Sequence, residues 1–179
     1  MVIHCSKALQ TTLKLYKTDM ATPEQLAKEE DSFYSWHGHI AKVDGRNTIV
    51  LMNDKTMYCV LLRNKLPRKK DKFAELVLKA IPYTLEVGNI NGNEIAGYMN
   101  SVGNIVFAEK TDRKITGNIN RMILDMGFQW KYDWREDESI QAYKAYEQNR
   151  GLRKIGKDYV TPFEEMLKAL CGISDHAKE

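Results

Sequence analysis

Residues 33–62, FYSWHGHIAKVDGRNTIVLMNDKTMYCVLL, constrain this chain more than any other stretch. In FYSWHGHIAKV (33–43), Tyr34, Trp36, Gly38 and Ile40 fall on one parity, and His37, His39, Ala41 and Val43 on the other. Such alternation predicts a strand, because successive side chains leave a pleated backbone on opposite faces. Asp44-Gly45-Arg46 is a hairpin signal. NTIVLMN (47–53) is nearly continuous in apolar residues, as a strand covered on both faces would be. Asp54-Lys55 turns the chain again, and TMYCVLL (56–62) returns. Three antiparallel strands in a meander are expected.

Flanking segments supply the helices. Val2 to Cys5 predicts a short first strand, followed by a helix over Lys7 to Leu15. Residues 19–32 are polar, with a helical turn expected after Thr22-Pro23. Phe73, Leu76, Val77, Ala80 and Ile81 repeat at helical spacing, and this helix is expected to close near Pro82, which has no N–H to donate. Asn91 and Glu94 mark another start, ahead of Ile95, Tyr98 and Met99. NIVFAEK (104–110) predicts a strand. Ile119, Met122, Ile123, Met126 and Trp130 make a long helical stripe, and Ile140, Tyr143 and Tyr146 another helix. In TPFEEMLKAL, Thr161 stands as cap, Pro162 at the first position and Glu164 three after the cap, with Phe163, Met166, Leu167 and Leu170 inward. The expectation is one α+β domain over residues 1–179: an antiparallel meander sheet with helices packed on it.

A length of 179 residues suits one domain with a real core. No apolar run approaches the ~20 residues a membrane span needs, and the first residues lack the apolar stretch of a signal peptide. Cys5, Cys59 and Cys171 lie far apart with no CxxC, so reduced thiols and a cytoplasmic location are expected. A Walker loop, GxSxG, HExxH, a dinucleotide fingerprint and an EF-hand are all missing, which argues against the chemistries they serve.

Net charge is a mild +3, but the bases cluster. RNKLPRKKDK (63–72) carries Arg68, Lys69 and Lys70; NRGLRKIGKD (149–158) carries Arg150, Arg153 and Lys154. Either these are solvated loops, or they are a footprint for a phosphate backbone, whose counterions they would release. The segment AEKTDRKITGNINRMILDM (108–126) crowds polar groups where a strand meets a helix. In one reading Thr111 and Asp112 cap the helix, Arg113 pairs with a carboxylate or carbonyl, and Gly117 allows close packing. In the other, Arg113, Lys114, Asn118 and Arg121 surround a helix start that attracts phosphate. His37 and His39 share one strand face. Two imidazoles beside Arg113 or Lys110 could serve as acid and base in attack of an RNA 2′-hydroxyl on its phosphate, without a metal; two half-buried polar residues on a sheet is the plainer reading. Neither a carboxylate nor a third histidine stands at metal-ligand spacing, and no cofactor is expected.

Three stretches resemble a known family: IHCSKALQTTLK, the central WHGHIAKVDGRNTIVLMNDKTMYCVLL, and KTDRKITGNINRM. Its members are small bacterial proteins described only as a domain of unknown function. The matching positions are His4, Cys5, Lys7, Leu9, Trp36, Asn53, Thr56, Thr111, Arg113, Gly117 and Asn120 over residues 1–130, with Asp112 where the family usually carries Asn. The resemblance implies a fold and a site location but no reaction. A looser resemblance is to mobile-element inhibitors of RNA-guided nucleases. It implies an accessory protein acting on such a nuclease or its guide RNA by binding, with metal-independent RNA cleavage as a further activity. On that expectation His37, His39 and Arg113 are catalytic. Arg68, Lys69, Lys70, Lys114, Asn118, Arg121, Arg150, Arg153 and Lys154 contact nucleic acid, and the partner is RNA or a ribonucleoprotein. The alternative is a non-catalytic housekeeping or protein-interaction module.

Overall fold

A computed structural model describes residues 1–28, 31–109, 112–128, 134–155 and 157–176. The chain forms β1 (Val2–Cys5), α1 (Lys7–Leu13), α2 (Pro23–Lys28), β2 (Ser35–Val43), β3 (Arg46–Asn53), β4 (Cys59–Arg63), α3 (Lys70–Val87) and α4 (Gly92–Ser101). It continues with β5 (Val106–Ala108), α5 (Arg113–Phe128), α6 (Ala142–Arg150), β6 (Arg153–Ile155), β7 (Asp158–Val160) and α7 (Pro162–His176). The fold is α+β, with a five-stranded sheet in the order β4-β3-β2-β1-β5 and a small β6-β7 ladder.

The expected meander is present as β2-β3-β4, antiparallel throughout. It is not the whole sheet. Strand β1 pairs with β2 and with β5 in parallel, so the sheet is mixed. Parallel partners lie far apart in sequence and leave no turn signal between them, which is why the local pattern shows only the hairpins. The β2–β3 turn places Asp44 at φ 47° and Gly45 at φ 74°, the left-handed pair that an Asp-Gly hairpin demands.

Both sheet faces are covered. Ile3, Trp36, Ile49, Leu51, Val60 and Leu62 point to the first face, against α1, α3, α4 and α7. Val43, Val50, Met52, Cys59 and Leu61 point to the second, against Ile115, Ile119, Met122 and Met126 of α5 and Ala145 of α6. This double cover accounts for the unbroken apolar run of β3. On the first face Trp36 is fully buried and donates its indole N–H to the Tyr98 hydroxyl at 3.1 Å. Gly38 lies under α1, where an added Cβ would come within 2.6 Å of Leu9 Cδ2.

Asn53 and Thr56 knot the β3–β4 turn. Asn53 Oδ1 accepts from the backbone N–H of Lys55 and Thr56 and from the Thr56 hydroxyl, at 3.2, 3.0 and 3.0 Å, while Nδ2 donates to the Phe33 carbonyl at 2.8 Å. The sheet edges are also closed. Asn149 of α6 accepts from the Cys59 N–H at 2.7 Å and donates to its carbonyl at 2.9 Å, as a neighbouring strand would. The Arg63 N–H reaches the Ser139 carbonyl, and the Gln141 N–H the Leu61 carbonyl, each at 2.9 Å. At the other edge the Ala21 N–H donates to the Phe107 carbonyl. Unpaired edges invite association with other chains, and these contacts remove that invitation.

Several expectations change. Helix α1 ends at Leu13 because Lys14 turns left-handed, at φ 54°. Helix α3 runs through Pro82 to Val87 rather than closing there. The ring lies half-buried on a helix whose Ile81, Thr84 and Leu85 are fully buried, so tertiary packing outweighs the lost backbone bond. Thr161 stands at the cap position of α7, its carbonyl accepting from the Glu165 N–H at 3.2 Å, but its hydroxyl makes no cap bond and is buried with no hydrogen-bond partner among the described residues. Asn91 does cap α4, accepting from the Asn93 N–H at 2.8 Å. Lys110, Thr111 and Trp130 lie outside the described residues.

Candidate functional site

The expected joint lies where β5 leads into α5, on the second face. Asp112 caps α5 as expected: its carboxylate accepts from the Lys114 N–H at 2.6 Å and its carbonyl from the Thr116 N–H at 3.0 Å. Arg113 opens the helix and is exposed, and among the described residues its guanidinium has no hydrogen-bond or ion-pair partner. The structural role expected of Arg113, gripping a carboxylate or carbonyl, is therefore not seen there. Gly117 is exposed with open space around it, so close helix–sheet approach is not what that glycine serves.

The joint is tied instead through His37. The ring is almost wholly buried, at 4% exposure. Nδ1 lies 2.6 Å from Asp54 Oδ1, and the backbone N–H of Asp112 donates to Nε2 at 2.6 Å. An amide N–H can only donate, so Nε2 must be the bare nitrogen and Nδ1 carries the proton toward Asp54. One neutral imidazole thus clamps the turn after β3 to the start of α5. Its back is covered by His4, which sits opposite it across the β1–β2 register and stacks on it at 4.8 Å. His39 follows on the same face, half-buried, its Nδ1 buried with no hydrogen-bond partner among the described residues. Burial holds its pKa below the usual histidine range, because an imidazolium there would lose water.

This arrangement bears on the expected acid–base pair. Both ring nitrogens of His37 are engaged by protein groups, and no face of the ring is open. His39 is held toward its neutral form, and no carboxylate among the described residues is bonded to it. Arg113 lies at the helix start, on the solvent side. Sequence reading did not single out His4 or Asp54 as site residues. Asp54 had a usable signal, as a turn carboxylate directly after a strand. His4 had none, since its place beside His37 depends on a parallel pairing.

The basic residues divide between the faces. Ile115, Ile119, Met122 and Met126 seat α5 on the sheet; Lys114, Asn118, Arg121 and Asp125 repeat the same spacing one residue earlier and so form a stripe along one flank. Lys114 and Arg121 are exposed, with no ion-pair partner among the described residues, and Asn118 donates to the Lys114 carbonyl at 3.1 Å. At the far end of the stripe Asp125 meets Arg153 of β6 at 4.0 Å, which brings the β6–β7 hairpin beside this flank. Arg153 itself turns inward, donating to Gln148 Oε1 at 3.4 Å, whereas Arg150 and Lys154 are exposed. Arg68 and Lys69 are exposed just ahead of α3, a helix of the other face, and Lys70 is paired with Asp19. The bases do not gather into one footprint.

Other polar groups are buried on the second face. Arg63 is 2% exposed, lies 4.1 Å over the Trp134 ring and donates to the Thr48 hydroxyl at 3.3 Å; burial lowers its pKa. Trp134 in turn donates its indole N–H to Asp44 at 3.0 Å. The Cys5 and Cys59 thiols are each pushed up to about 12 by burial and are therefore inert at neutral pH. Among the described residues no group of three or more His, Cys, Asp or Glu side chains could hold a metal ion, and no helix is long and apolar enough to cross a membrane.

Of the positions that carried the family resemblance, Trp36 bonds to Tyr98, Asn53 and Thr56 knot the turn, and His4 stacks on His37. No curated protein and no solved structure matches the chain. A family model does match, over residues 2–165, and the chain accordingly belongs to the family described as Domain of unknown function (DUF6933).

Proposed function

We propose that this protein is a non-catalytic binding module that presents the flank of α5 to the phosphate backbone of a nucleic acid or ribonucleoprotein. The carrying observation is the trio Arg113, Lys114 and Arg121, exposed and without ion-pair partners among the described residues, on a helix whose Ile115, Ile119, Met122 and Met126 seat it on the sheet. Cations that already hold carboxylates release little on meeting phosphate; these hold none among the described residues. Inhibition of an RNA-guided nuclease by occupying its guide RNA or its nucleic-acid channel fits such a surface.

Binding without cleavage is favoured because His37 is committed to Asp54 and to the Asp112 amide. A general base needs a lone pair that reaches the proton it abstracts. The test uses end-labelled single-stranded RNA. The protein is expected to shift the RNA and leave it intact in the presence of a chelator. The triple substitution Arg113→Glu, Lys114→Glu, Arg121→Glu should abolish the shift and leave the melting temperature within a few degrees. Cleavage lost in His37→Ala would overturn the non-catalytic reading; an unchanged shift in the triple variant would overturn the binding surface.

A further inference from the structure

We infer that His37 is a proton-operated latch on the start of α5, so that acidification weakens nucleic-acid binding by this helix; the inference rests on the binding role proposed above. The geometry admits one neutral state. Nδ1 keeps its proton toward Asp54, and Nε2 uses its lone pair for the Asp112 amide. A second proton can only land on Nε2. That converts the acceptor into a donor facing another donor, and the tether to Asp112 is lost. The bond to Asp54 survives and becomes an ion pair. Histidine is the side chain whose ordinary titration spans the range between mildly acid and neutral pH.

The groups about the ring are few. His4 stacks on it from β1, and His39 lies two residues along β2 on the same face. Asp54 comes from the turn after β3, followed by exposed Lys55, and Asp112 from the entry to α5. Arg113 and Lys114 come next, exposed on the first turn. Met52, its partner on β3, and Ala108, next to His4 on β5, are apolar.

The consequence has a sign that separates it from plain electrostatics. Arg113 and Lys114 follow Asp112 directly, so releasing its amide frees the end of the basic flank, while Ile119 and Met122 keep Arg121 seated. Acid adds positive charge to the chain as a whole, which alone would tighten binding of an anion. The latch predicts the opposite.

The experiment follows the Asp112 backbone amide by NMR in the intact protein from about pH 8 to about pH 5, with anisotropy of a fluorescent uridine oligonucleotide over the same range. The Asp112 amide should move and exchange faster as pH falls, with affinity dropping roughly tenfold. His37→Gln offers an acceptor that cannot be protonated, and both readouts should flatten. Asp54→Asn removes the carboxylate that favours the cation, and both transitions should shift to lower pH. An Asp112 amide that does not titrate, or one that titrates equally in His37→Gln, overturns the latch. Affinity that rises on acidification overturns its control of binding. An oligonucleotide that fails to bind at any pH overturns the binding role itself, while the amide still decides the latch.

Discussion

The two faces of the sheet are built from different materials. The first is apolar, and polar atoms on it are spent inside the fold, as with the Trp36 indole on Tyr98 and the Asn53 amide in its turn. The second carries buried His37 and Arg63 on its strands, and α6 beside it buries Lys144, Gln148 and, at the β4 edge, Asn149. Apolar burial stabilises without specifying direction. Hydrogen bonds to a ring nitrogen or a strand amide fix where a helix begins and which edge it closes. The first face supplies most of the stability, then, and the second positions the helices that carry the exposed bases.

The contrast can be broken by substitution. The largest effect belongs to the first face: Trp36→Ala removes a fully buried ring and its bond to Tyr98, and should cost about 3–5 kcal/mol in urea denaturation. A loss within experimental error would show that the face is not the main source of stability. On the second face Asn149→Ala strips the Cys59 N–H and carbonyl of their partners and should cost about 2–3 kcal/mol. Its companion readout is hydrogen exchange at the Cys59 amide, which should quicken; unchanged protection would mean another group closes that edge. Arg63→Met should change stability by under about 1.5 kcal/mol, since a buried cation replaced by a long apolar chain loses little. A loss near that of Trp36→Ala would make the buried cation a principal support.

The smallest effect is a slope. Burial depresses the His39 pKa, so the folded chain resists a proton that the unfolded chain accepts. The unfolded state therefore gains as pH falls below the ordinary histidine range, and the stability held above that range declines toward acid. His39→Asn should flatten this part of the pH dependence measured by urea melts. The same slope in that variant would assign it elsewhere.

How much of this was legible depends on how local each signal was. The β2–β3–β4 meander was, because alternation and an Asp-Gly turn are written within consecutive residues. The Phe73–Ile81 stripe marked α3 but not its end, since burial of Thr84 and Leu85 carries the helix past Pro82. The parallel pairing of β1 was not legible, and with it went the stacking of His4 on His37. Two histidines at a spacing of two look alike whether reactive or tied, so the engagement of His37 by Asp54 and Asp112 shows only in the folded chain. Composition marked basic clusters but not their sides: Arg153 and Lys154 are neighbours in sequence, yet one turns inward and the other faces solvent.

We propose that the α5 side, and not the α3 side, meets the nucleic acid. The direct measurement is the salt dependence of affinity for a single-stranded RNA in two charge-reversed proteins: Lys114→Glu with Arg121→Glu, and Arg68→Glu with Lys69→Glu. Each phosphate that a variant no longer neutralises should reduce the slope of log affinity against log salt by roughly 0.7 for a single strand. Binding in the α5 pair should therefore weaken, with a slope reduced by about 1.4, while the Arg68–Lys69 pair should behave as wild type. A slope reduced in the Arg68–Lys69 pair and unchanged in the α5 pair would contradict the claim.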